Sequence, residues 1–202
     1  MANVAVSTSP AGVRTICIDR EERRNALDRA TLDELEAAFV AAGGDESVRV
    51  IVLRGAGERA FCAGADLVEV LEHQGVDANR RHFDGVARVI QAMHHAGPPV
   101  VARVQGFALA GGCGLAVAAD FTLASESTVL GLPEIALGLL PMVVSAPIYR
   151  ATGSRKTVLD LVLTGRRVDA HEALSLGLVT RVVPDASLDS ELEALTAQLS
   201  AL

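Results

Sequence analysis

Two stretches of small residues carry the first chemical signal. Phe61-Cys62-Ala63-Gly64-Ala65-Asp66-Leu67 and Gly106-Phe107-Ala108-Leu109-Ala110-Gly111-Gly112-Cys113-Gly114 each follow a strand-like apolar run and precede a helical pattern. Small residues let a ligand approach the backbone closely. The first turn of a helix carries N–H groups with no internal partner, so such segments suit anions and oxyanions. Taken one at a time, they fit equally well as tight strand-to-helix turns. Neither matches the dinucleotide fingerprint GxGxxG or the phosphate loop GxxxxGK[ST]. The other reactive side chains form no pattern. His73, His82, His94, His95 and His171 lack paired metal spacing, and Cys17, Cys62 and Cys113 form no CxxC pair. Ser145 is not in a GxSxG context. No metal site is expected.

The elements that must position these segments follow from periodicity. Val4–Ser7 and Val13–Ile18 read as strands of a hairpin turning at Pro10–Gly12. Thr31 to Glu34 fits a capping box, which predicts a helix starting there. Leu32, Leu35 and Phe39 share its apolar face, and Gly43–Gly44 end it. Val50–Leu53 and Val100–Val104 read as strands, the second apolar except for Arg103. Helices are predicted over Leu67–Glu72, Asn79–His95, Gly111 to about Ala119, Met142–Ala151, Ser154–Leu163, Asp169–Leu176 and Ser187–Ala201. Phe121–Ala124, Val129–Gly131 and Val179–Val183 complete the strands. Strands and helices alternate after the hairpin, which predicts an α/β protein with much parallel pairing. No repeat or linker divides the 202 residues, so one domain is expected over 1–202.

Half of the residues are apolar, 21% are charged and only 3% are aromatic. The core is therefore expected to be aliphatic. A net charge of −7 argues against nucleic acid, which requires clustered Lys and Arg. It leaves room for a small anionic ligand held by a local basic patch. The longest apolar stretches, Phe107–Ala119 and Ile135–Ile148, are interrupted and fall short of the ~20 residues that span a bilayer. With no signal-peptide pattern at Met1–Pro10 and three isolated thiols, a cytoplasmic location is expected.

Four motifs together are similar to one family. They are Arg24-Asn25-Ala26-Leu27, Ala60-Phe61-Cys62-Ala63-Gly64-Ala65-Asp66-Leu67, Gly106-Phe107-Ala108-Leu109-Ala110-Gly111-Gly112-Cys113, and Leu132-Pro133-Glu134-Ile135 with Gly138 and Pro141. In this order and spacing they resemble the crotonase superfamily, the enoyl-CoA hydratase/isomerase group, from about Val4 to Leu202. The resemblance implies a ClpP/crotonase-like spiral of strand-strand-helix turns. It implies an acyl-CoA thioester substrate held as an enolate, with the thioester oxygen between the N–H groups of Ala65 and Gly111. Coenzyme A is then part of the substrate, and no separate cofactor is implied. Ala63, Gly64, Asp66 and Leu67 are expected to border the adenine and pantetheine. Arg24 is expected near the coenzyme phosphates, with Arg20 and Arg23 adding to the patch. Ala26, Gly112, Gly114 and Pro133 complete the expected substrate-binding set. Glu134 stands where the family keeps a catalytic acid/base, a role that an apolar setting favours by raising a carboxyl pKa.

The chain also departs from the family pattern. Hydratases of the group usually carry a second Glu where this chain has Gly114, and Ala110 replaces a commoner glycine. Family chains usually continue with further C-terminal helices that cover the active site and help to build trimers; a shortened C-terminal helical region is expected here, unless these residues are part of a longer chain. A homotrimer or hexamer is the expected assembly. Hydration of a 2-enoyl-CoA, double-bond isomerisation, a non-catalytic acyl-CoA-binding role, and a subunit completed by another chain all remain open at this point.

Overall fold

The computed structural model describes residues 2–72 and 76–201; His73 lies outside the described residues. Apolar runs without alternation demand burial on both faces, and two of them build the centre of a six-stranded sheet. These are β3 (Val50–Gly55) and β5 (Val100–Val104), every residue of the latter buried. The other members are β1 (Val4–Thr8), β2 (Val13–Ile18), β7 (Phe121–Ser125) and β10 (Arg181–Val183), in the order β1-β2-β3-β5-β7-β10. β1 and β2 form the expected antiparallel hairpin; every other pairing in the sheet is parallel.

A second sheet of four short strands stands beside the first. It contains β4 (Ala60–Cys62), β6 (Phe107–Leu109), β8 (Val129–Gly131) and β9 (Arg167–Asp169), in that order. β4, β6 and β8 run parallel, and β9 pairs antiparallel with β8. The chain thus passes from large sheet to small sheet and then into a helix. It does so at β3-β4 before α2 (Leu67–Glu72) and α3 (Val76–His95), and at β5-β6 before α4 (Gly111–Ala118). At β7-β8 it continues through a 3-10 turn, Pro133–Leu137, into α5 (Met142–Thr152) and α6 (Arg155–Thr164). These are the strand-strand-helix turns of the expected spiral. Three of the four small-sheet strands were not anticipated: β4 and β6 lie inside the two stretches of small residues, and β9 runs directly into α7.

The main core lies between the large sheet and α1 (Arg29–Gly43), α3 and α4, and is aliphatic around Phe39 and Phe61. A smaller cluster, Val50, Val52, Val101 and Leu195, fills the other face of the large sheet beneath α8 (Leu188–Ser200). The remaining helix, α7 (Ala170–Ser175), lies between β9 and β10.

The start of α1 differs from expectation. Asp28, not Thr31, is the N-cap: its Oδ1 accepts from the Thr31 N–H at 2.8 Å and from the Thr31 hydroxyl at 2.7 Å. Glu34, the presumed partner in the capping box, instead accepts from the backbone N–H groups of Asn3 (2.8 Å) and Val4 (2.9 Å). It pins the first strand to the helix. No described helix is long and apolar enough to cross a membrane.

Candidate active site

Leu27 organises the first half of the site. It forms an isolated parallel bridge with Ala65, in which the Leu27 N–H donates to Gly64 O (2.8 Å) and the Asp66 N–H donates to Leu27 O (2.9 Å). In a parallel bridge these bonds come from the residues flanking Ala65, so the N–H of Ala65 itself faces away from Leu27. It has no hydrogen-bond partner among the described residues. Asn25 holds the preceding turn. Its backbone is left-handed (φ 56°), its Nδ2 donates to the carbonyls of Ala56 (2.9 Å) and Ala60 (2.8 Å), and its Oδ1 accepts from the Arg20 N–H.

The second half is the start of α4. The Ala110 N–H donates to Gly131 O and the Gly114 N–H to Ala110 O. The N–H of Gly111, the first helical residue, has no partner among the described residues, as helix geometry dictates. The two turns touch. A Cβ on Gly64 would lie 2.7 Å from Ala110 Cβ and 3.5 Å from Gly111 N; one on Gly111 would lie 3.4 Å from Leu27 Cδ1. Gly64 has φ +94°, a value that glycine adopts freely. Ala110, at φ 53° and ψ −123°, holds a conformation costly for a residue with a Cβ. Paired free N–H donors of this kind can receive an oxygen on which negative charge gathers.

Glu134 follows β8 in the 3-10 turn Pro133–Leu137, whose end is set by Gly138 in the left-handed region. The side chain is half-buried, and its Oε2 is buried without a hydrogen-bond partner among the described residues. Burial pushes its carboxyl above the ordinary carboxylate value, and its own backbone N–H offsets this only in part. Cys113, on α4, is close enough to feel the Glu134 charge. Burial first, then that charge, push its thiol up to about 12, against an opposing hydrogen bond from the Gly131 N–H. Cys113 therefore stays protonated, and Glu134 beside it is a carboxyl whose acidity burial weakens.

The other expected residues fall into distinct places. Arg24 is exposed with a left-handed backbone (φ 54°), and its carbonyl accepts from the Ala63 N–H. Arg20 does not join a basic patch with it. Its guanidinium pairs with Asp66 and Asp28, each at 2.9 Å, and also donates to the Ala26 carbonyl. Asp66 is thereby committed to Arg20 and to the N–H of Val68 at the start of α2 (3.1 Å). Arg20 holds its carboxyl below the usual range although burial acts the other way. Leu67 is exposed and Pro133 half-buried. Gly112 and Gly114 face protein. A Cβ on Gly112 would meet Cys62 O at 2.3 Å, and one on Gly114 would meet Val144 Cγ1 at 2.2 Å. Sequence reading assigned no role to Leu27, Asn25 or Val144. The first two lie inside a motif that had been singled out, whereas Val144 carries no local signal. A separate cavity of about 300 Å³ between the ends of α3, α4 and α5 is lined by His94, Asp120 and Arg150 among others, and by none of Ala65, Gly111 or Glu134.

A family profile described as enoyl-CoA hydratase/isomerase matches residues 8–201. The chain belongs to the enoyl-CoA hydratase/isomerase family. It is 44% identical to a probable enoyl-CoA hydratase of Rhizobium meliloti over 184 residues, which is 90% of this chain and 70% of that one. It is 37% identical to a putative enoyl-CoA hydratase of Thermus thermophilus over 96% of this chain and 77% of the relative. The crystal structure of an enoyl-CoA hydratase from Mycobacterium smegmatis superposes with a TM-score of 0.95 at 34% identity, covering all of this chain and 77% of that one. The two-sheet spiral is therefore the crotonase fold. Within this hydratase/isomerase frame, α4 brings Gly111 and Cys113 to one end of the small sheet. The β8 turn brings Glu134 to the same place.

Proposed function

We propose that the protein is an acyl-CoA enzyme that stabilises a thioester enolate with the N–H groups of Ala65 and Gly111. Glu134 moves the proton. The observation that carries this reading is the Glu134 carboxyl, half-buried, raised in pKa and with one buried oxygen free of partners among the described residues, on the turn that leaves the small sheet at the same end as Gly111. A raised carboxyl pKa lets one group both accept and return a proton, and the donors act on the charge that develops in the transition state. CoA binding follows from the same reading, with Arg24 exposed near the Ala63 turn for the coenzyme phosphates.

Within that chemistry, double-bond isomerisation of an enoyl-CoA is favoured over hydration of a 2-enoyl-CoA. Hydration in this family relies on a second carboxylate to hold water. Position 114 has no side chain, and the space beside it is filled by Val144. One carboxylate suffices to move a proton between two carbons of one substrate. The same filled space favours, as a second reading, a protein that binds CoA thioesters without turnover.

The test is turnover of 2-enoyl-CoA and 3-enoyl-CoA by wild type and Glu134→Gln, with products weighed, since hydration adds a water and isomerisation does not. The expected result is an isomerised product and a loss of ~10²-fold or more in the variant. A variant with full activity overturns the role of Glu134. Tight CoA-thioester binding with no turnover of either substrate establishes the second reading.

A further inference from the structure

Three polar side chains form a row on the outer face of the large sheet, away from the core that contains Cys113. Cys17 on β2 stands opposite Arg54 on β3, and Arg54 stands opposite Arg103 on β5. Neighbouring strands lie about 4.8 Å apart, so the two arginines are side by side. The next row on this face is Thr15, Val52 and Val101, and its two valines belong to the cluster under α8. Arg103 is only 2% exposed. Its Nε donates to Asp189 of α8 at 2.6 Å, but among the described residues its Nη1 is buried without a partner, and so is Nε of Arg54. Among the described residues no carboxylate pairs with Arg54, and the side chain of Asp189 is itself 66% exposed.

The buried donors here are incompletely paired. Two guanidiniums carry two positive charges; Asp189 pairs with one of them, and Asp19, the other carboxylate whose charge reaches Cys17, is exposed and pairs with neither. Cys17 adds no negative charge: burial holds its thiol above the ordinary value in spite of both arginines. A water molecule would satisfy the orphaned N–H groups but would place no negative charge against the two guanidiniums, and the carboxylates Asp189 and Asp19 are both exposed. An oxyanion meets both needs, since its oxygens match the fork of a guanidinium.

We propose that Arg54 and Arg103 form a binding site for a small oxyanion of the phosphate, sulfate or carboxylate class, entered from the partly exposed Arg54 and Cys17 side. The site lies on the opposite face of the sheet from Glu134 and is independent of the acyl-CoA reading.

The probe is inorganic phosphate, compared with chloride at matched ionic strength. Two readouts are needed. Thermal melting should rise by several degrees in phosphate for wild type, by mass action on the folded state. It should rise equally for Arg24→Ala, which separates this site from the expected coenzyme phosphate region, and hardly at all for Arg54→Met. Alkylation of Cys17 in wild type should slow severalfold in phosphate; Cys62 and Cys113 are buried, and this local readout needs no variant. Sulfate and acetate in place of phosphate then tell tetrahedral from planar preference. An unchanged Cys17 rate, or a phosphate-specific melting gain that persists in Arg54→Met, overturns the proposal.

Discussion

Introducing a single methyl group at Gly114 tests the packing that separates this site from a two-carboxylate one. Gly114 lies within α4, where Gly→Ala normally stabilises a helix by about 1 kcal/mol. Here the sign should reverse. The new Cβ would lie 2.2 Å from Val144 Cγ1 and 2.7 Å from Val144 Cβ, whereas ordinary contact begins at 3.4 Å. α5 would have to retreat by roughly 1 Å, and overpacking of that kind costs about 1–3 kcal/mol. For a chain of this size that lowers Tm by roughly 2–10 °C. The rescuing change must be Val144→Gly, because Val144→Ala keeps the Cβ that stands at 2.7 Å. In a double-mutant cycle followed by circular dichroism, Gly114→Ala with Val144→Gly should show a favourable coupling of about 1 kcal/mol or more. The same pair with Glu at 114 should raise the share of hydrated product from a 2-enoyl-CoA. If Gly114→Ala melts at or above the wild-type temperature, or if Val144→Gly gives no coupling, then Val144 does not close this space.

Three further outcomes test the rest of the site. Gly64→Ala should lose roughly 10²-fold or more in turnover, the cost of removing one such donor, because its Cβ would meet Ala110 Cβ at 2.7 Å at a φ of +94°. Gly111→Ala, whose Cβ meets nothing closer than 3.4 Å, should fold with wild-type stability, so melting and activity assays on the pair tell the turns apart. Ala110→Gly should raise Tm by a few degrees, since it releases a conformation costing about 1 kcal/mol or more. Glu134→Gln should melt above wild type at neutral pH. The raised carboxyl pKa means the folded state favours the protonated form. Its contribution is present below the unfolded value near 4.5 and lost as pH rises through the higher folded value. The advantage of the variant should therefore shrink as melts are taken from neutral pH down toward 4.5 and level off below it, and a gap independent of pH would refute burial as the cause.

Much of this architecture was legible in the order of residues. β2, β5 and α2 were expected with their observed bounds, and Val50–Leu53 and the helix near Gly111 differed by a few residues. In each case four or more residues repeat a burial pattern dictated by backbone geometry. The small sheet was mostly illegible: β8 was expected with its bounds, but β4 and β6 lie inside the small-residue stretches and β9 runs into α7. They are strands because neighbours lie alongside, with no periodicity of their own. The start of α1 was misjudged for a related reason. Thr31 and Glu34 match a capping box, yet Asp28 reaches the Thr31 N–H and Glu34 is taken by Asn3 and Val4.

The candidate site divides along the same line. Sequence alone determined which backbone segments are small enough to touch each other and a ligand, and placed a glutamate after Pro133. Those properties reside in residue type and in short spacings. Only the tertiary structure decided where each polar group is spent. It gave Arg20 to Asp66 and Asp28, left the N–H groups of Ala65 and Gly111 unpaired, and set Val144 against Gly114. Hydrogen bonds, ion pairs and steric contacts depend on distances between segments far apart in the chain, and those distances exist only once the two sheets and their helices have packed.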